Sequence, residues 1–181
     1  MKGLPVAAAL AATTLAGCLV SEEPLFDAGN AAATPLAAGR YEACSRSDDG
    51  EAPECHPVTV ELSKDGLYTF LVEDDRIEAR MTSIGAEDYA VQLVDYGERD
   101  AQYYWARAAQ GSFSLAMIWC PDLPKALVDR LIADGAVVAD DDRSTCTARS
   151  AAAVILAAKA YAGGEASGDD DVVTLRPSAA Q

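Results

Sequence analysis

Between Arg40 and Trp119, apolar residues recur at every second position in about seven short runs, each ended by turn-forming residues. A period of two sends alternate side chains to opposite faces of an extended chain, so each run reads as a strand with one buried face. The runs are Arg40 to Cys44, Val58 to Leu62, Leu67 to Val72, Arg76 to Met81, Tyr89 to Leu93, Gln102 to Ala108 and Phe113 to Trp119. Lys64-Asp65-Gly66 is a hairpin signal, because Gly66 can take a positive φ without a side-chain clash. Glu73-Asp74-Asp75 and Gly97 to Asp100 supply further turns, and Gly85 and Gln110-Gly111 break the remaining runs. Strands joined in order by connections of hairpin length predict an antiparallel meander, either an open sheet or a small barrel.

After Cys120 the period changes. Leu123, Leu127, Val128, Leu131 and Ile132 form an apolar stripe at helical spacing, which Asp122 is placed to cap and Gly135 to end. Ser150 is placed to cap a second helix, Ala151 to Ala162, which stops at Gly163-Gly164. Cys146 to Ala148 reads as a short strand and Val172 to Leu175 as a last one. Strands first and two helices later give an α+β order.

The N-terminus carries a different signal. Lys2 precedes an apolar stretch from Leu4 to Ala16, too short for the roughly 20 residues that span a bilayer as a helix. The stretch ends in Leu15-Ala16-Gly17-Cys18. This resembles the lipobox of bacterial lipoproteins, in which the signal peptide is cleaved before the cysteine and the thiol carries a diacylglycerol. The resemblance implies a signal peptide over 1–17, lipidation of Cys18, and attachment to a membrane through that lipid. Leu19 follows Cys18 where Asp would favour inner-membrane retention in such lipoproteins, which implies outer-membrane sorting. Each buried methylene contributes roughly 0.8 kcal/mol, so two or more acyl chains are anchor enough. Residues 18–37, rich in Ala, Pro and acidic residues without a sustained period, then read as a lipid-anchored tether, with Leu25 and Phe26 as the exception expected to dock on the domain, and 38–181 as a single globular α+β domain.

The chain has 14 basic and 29 acidic residues and a formal charge of −15. That balance argues against nucleic acid, whose phosphates demand Lys and Arg. Cys44, Cys55, Cys120 and Cys146 remain when Cys18 is set aside, an even number that reads as two disulfides in an exported chain. Three pairings exist; Cys44–Cys55 and Cys120–Cys146 are favoured because each closes a short segment, for roughly 3 kcal/mol of lost unfolded-state entropy per loop. A zinc or redox site is disfavoured, since no C-x-x-C occurs and His56 is the single histidine.

No hydrolase, metalloprotease or phosphate-binding motif occurs, and no cofactor is implied. His56 lies beside Cys55 at a strand edge, which favours a surface role over a catalytic one. Asp48-Asp49, Asp140-Asp141-Asp142 and Asp169-Asp170-Asp171 lack the alternate ligand spacing of a calcium loop and read as solvated turns. Tyr103, Tyr104 and Trp105 are consecutive, so both faces of their strand carry an aromatic; core packing or cover by a helix is the favoured reading, and any of the three left exposed would mark a partner patch. The sequence therefore predicts a lipid-anchored cell-envelope protein with a disulfide-stabilised, non-enzymatic binding or structural domain and a partner in the envelope. Two alternatives stand beside it: an inhibitor-type barrel lipoprotein acting on a lysozyme or protease, for which the loop between Cys44 and Cys55 is the candidate element, and a small hydrolase.

Overall fold

The structure is a computed structural model that describes residues 17–45, 53–141, 144–166 and 172–178. Its strands are β1 (Leu19–Ser21), β2 (Gly39–Ser45), β3 (Glu54–Leu62), β4 (Tyr68–Val72), β5 (Asp75–Ser83), β6 (Asp88–Asp95), β7 (Ala101–Ala109), β8 (Ser112–Met117), β9 (Val137–Ala139), β10 (Cys146–Ala148) and β11 (Val172–Pro177). Two helices, α1 (Lys125–Ala133) and α2 (Ala151–Ala162), complete the described elements.

Strands β2 to β8 pair in sequence order, all antiparallel. These are the seven runs read from the period of two. The last strand decides the architecture. β11 pairs with β8 from Val172↔Ala116 to Leu175↔Phe113, and with β2 from Val173↔Ser45 to Pro177↔Tyr41. The sheet thereby closes into an eight-stranded antiparallel barrel, so the open-sheet alternative falls. Closure removes the unpaired edges that an open meander would expose.

Inward positions follow the alternation in the sequence. Val58 and Val60, Tyr68 and Phe70, Ala79 and Met81, and Phe113 and Leu115 meet in one buried cluster that fills the barrel. One end is plugged by the chain before β2. The Tyr68 hydroxyl accepts from the Leu36 amide at 3.1 Å and donates to the Leu36 carbonyl at 2.9 Å, and the Ala33 amide donates to Met81 O at 2.9 Å.

A second core lies outside the barrel wall. Helix α2 packs across β6 and β7, where its small Ala153, Ala157 and Ala160 allow close approach. Ser150 starts the helix by accepting from the Ala153 amide. Helix α1 begins later than its apolar stripe suggests. Pro124, not Asp122, stands at its N-cap, with no side-chain cap hydrogen bond.

The segment expected to be a tether is part of the fold. Leu19–Ser21 runs antiparallel to β7 and parallel to β10, while β9 adds to β10. Phe26, Ala31 and Leu36 are buried further along. Their spacing has no period because the segment wraps around the barrel, each apolar side chain dropping into a different site. The strand count therefore exceeds the sequence reading, with β1 and β9 as the unexpected additions.

Candidate functional site

The cross-links join Cys44 to Cys55 and Cys120 to Cys146, with Cα atoms 4.1 and 5.7 Å apart. The first ties directly opposed residues of β2 and β3, and the second ties the end of the barrel to β10. Cys18 makes an isolated bridge to Trp119, and its thiol lies 3.0 Å from Met117 Sδ with no solvent exposure.

The three consecutive aromatics do not form one patch. Tyr103 is fully buried in the outer core, with its ring 5.9 Å from Phe26 and its hydroxyl 2.7 Å from that of Ser21. Trp105 is half-buried beside α2, its ring 6.4 Å from Tyr161 and its indole donating to Asp88 at 3.0 Å. Tyr104 points to the other face, into the barrel. Helix α2 and the wrapped N-terminal segment thus cover the face that the sequence left open to a partner.

Tyr104 leads to the feature that the sequence reading missed. At the end opposite Leu36, the inward residues Ile77, Leu93 and Tyr104 floor a cavity of about 640 Å³. Val20, Ser21 and Glu22 make one wall, and the turn from Asp95 to Asp100 makes another. Four carboxylates, Glu22, Asp95, Glu98 and Asp100, line it, and among the described residues no Lys, Arg or His does. None of the four joins an ion pair among the described residues.

The walls are held in place by ordinary means. Gly97, at φ 94°, lets the Asp95–Asp100 turn reverse, and the Glu98 amide donates to Asp95 O at 2.9 Å. The guanidinium of Arg76 sits 4.5 Å over the Tyr96 ring and braces the turn from outside. Burial pushes the Tyr104 phenol well above its usual range, with Cys18 and Asp95 adding to the shift. The floor is therefore neutral, and its one hydroxyl donates to Gln102 at 2.9 Å. The Ser21 hydroxyl donates to Glu23 O at 2.6 Å and meets Tyr103, so neither of its partners is a general base.

The other sequence candidates lie apart from this cavity. His56 is exposed and 3.3 Å from Glu54. Asp140 accepts from the Thr145 amide and the Ser144 hydroxyl. Asp48-Asp49, Asp142 and Asp169-Asp170-Asp171 lie outside the described residues, as does most of the loop between Cys44 and Cys55. Among the described residues, no three His, Cys, Asp or Glu side chains are placed to hold a metal ion. Comparison of the chain with protein-family models, curated proteins and solved structures returns no match.

Proposed function

We propose that this chain is a lipid-anchored cell-envelope protein, sorted to the outer membrane, whose disulfide-stabilised barrel is a non-enzymatic binding module. The cavity at the open end of the barrel is its binding site. One observation carries the reading: the barrel is packed with side chains along its length and plugged at one end, yet open over an apolar floor at the other. A packed barrel needs no such opening for stability, and a concave cavity with an apolar floor and polar groups around it is a place that small ligands occupy.

The anchor and the site belong to one end of the molecule. Val20, Ser21 and Glu22 follow Cys18 directly and form a cavity wall. Cys18 is fully buried, its thiol 3.0 Å from Met117 Sδ and its carbonyl accepting from the Cys146 amide at 3.4 Å, whereas Leu19 to Ser21 carry the ladder pairs of β1. Acylation therefore requires the Cys18 side chain to leave this slot for the bilayer.

The anchor is tested by intact mass spectrometry of protein extracted from membranes. The expected product begins at Cys18 and carries acyl groups, and Cys18→Ser moves the protein to the soluble fraction. A product that retains residues 1–17 without acyl groups would falsify the anchorage. The binding site is tested by filling it with Leu93→Trp, which is expected to abolish ligand uptake while leaving cooperative unfolding intact.

A further inference from the structure

We propose that the barrel mouth takes a small amphipathic cation, an alkyl- or arylammonium compound, with its apolar body on the floor and its charged head among the rim carboxylates. This rests on the reading that the mouth is a binding site, and it adds the chemistry of the ligand.

The cavity offers two surfaces that a single molecule must satisfy together. Ile77, Leu93, Tyr104 and Val20 offer apolar contact, and Glu22, Asp95, Glu98 and Asp100 offer negative charge, with no Lys, Arg or His beside them among the described lining residues. Four exposed carboxylates around one concave opening repel one another and give it a negative potential. A cation entering there relieves that repulsion, and an anion of the same size meets it. A bare metal ion would leave the floor unused and needs converging oxygens at about 2.3–2.6 Å, which no three carboxylates among the described residues provide. A neutral amphiphile would use the floor but gain nothing from the rim charges, which stay hydrated. The volume of about 640 Å³ fits a compound of small-molecule size. The ring of Tyr104 at the floor adds an aromatic surface of the kind that favours ammonium groups.

The experiment uses the full chain with both disulfides intact and three probes that share one tail: decyltrimethylammonium, decyl sulfate and decyl maltoside, each kept below its micelle concentration. Isothermal titration is expected to show the ammonium binding at least about tenfold more tightly than either of the others. Neutralising two exposed rim residues together, with Glu98→Gln and Asp100→Asn, is expected to weaken the ammonium by about tenfold, the size expected for two partly screened ion pairs. Raising the salt to about 1 M, where charges are screened beyond roughly 3 Å, is expected to weaken it similarly. Leu93→Trp is expected to remove binding.

Equal or tighter binding of the sulfate or the maltoside, still blocked by Leu93→Trp, overturns the cationic ligand and leaves the mouth as a binding site. Ammonium binding that Leu93→Trp does not alter, or no binding by any probe, overturns both. The rim variants sit at the exposed turn, so loss of folding does not stand in for loss of binding.

Discussion

Gln92 grips the backbone at Phe26. Its Oε1 accepts from the Leu25 amide at 2.7 Å and the Phe26 amide at 2.8 Å, and its Nε2 donates to Phe26 O at 3.4 Å. Gln92 projects from the outer face of β6 and is 3% exposed, so a buried side chain substitutes for the strand partner that residues 25–26 lack. Replacing it with Leu keeps the volume and strands two buried amides. Gln92→Leu is expected to cost about 2–4 kcal/mol, within the range for leaving such groups unsatisfied. Urea unfolding checks it, as a lower midpoint with an unchanged slope.

Gly66 holds the same N-terminal segment from another side. It takes φ 80° in the β3–β4 hairpin, and a Cβ there would lie 3.1 Å from the Cα of Ala32. Gly66→Ala is expected to destabilise the protein by about 1–3 kcal/mol through backbone strain and displacement of residues 31–33. Proteolysis should speed up selectively at the N-terminal segment, and an unchanged digestion pattern would count against this clamp.

Asp65 makes part of the acid sensitivity predictable in sign. Its carboxylate accepts from the Ser63 hydroxyl and from Arg80, which lower its pKa from 3.8 to about 2, the Ser63 bond contributing most. The folded state thus prefers the charged form. The stability this confers is fully present above pH 4 and is lost as pH falls from about 4 through 2. Asp65→Asn should remove that component of the pH dependence, seen as convergence of the two proteins' denaturation midpoints near pH 2.

The cross-link between Cys120 and Cys146 closes a separation of 26 residues that contains α1 and β9. Replacing both cysteines with Ser is expected to cost about 3 kcal/mol, mostly by freeing the unfolded chain. Thermal unfolding under oxidising conditions measures it, and a reductant should bring the parent protein towards the variant.

The meander was legible because its information is local. Val58, Val60 and Leu62, or Ile77, Ala79 and Met81, announce one buried face within five residues, and Lys64-Asp65-Gly66 states where the chain must turn. The helix from Ala151 was legible for the same reason, with Ser150 at its start and Gly163-Gly164 at its end. The wrapped segment was legible only at Leu25 and Phe26, an apolar pair in a polar stretch. Phe26 and Leu36 are held by Gln92 and Tyr68, residues 66 and 32 positions away, so nothing near them in sequence marks where they dock.

The cavity was hidden by the same long-range logic. Ile77, Leu93 and Tyr104 each read as ordinary inward positions, and Asp95 to Asp100 as an ordinary solvated turn. Their meeting at one end depends on register across β5, β6 and β7 and on β1 arriving beside them. The aromatic run forms no single patch, in line with the favoured reading of core packing or helix cover: Tyr161 of α2, more than forty residues downstream, packs beside Trp105. That the second helix turns Tyr161 to the sheet was readable; which strands it covers was not.

Strand β11 sets the timing of assembly. It sits between β2 and β8, yet the ribosome makes it after both helices. Until residues 172–177 emerge, the nascent meander has two raw flanks, at Gly39–Ser45 and Ser112–Met117, each ready to zip onto a neighbouring chain. Completion of the molecule is consequently a late, long-range event, and a chain cut short before Val172 would be a seed for aggregation instead of a slightly smaller protein.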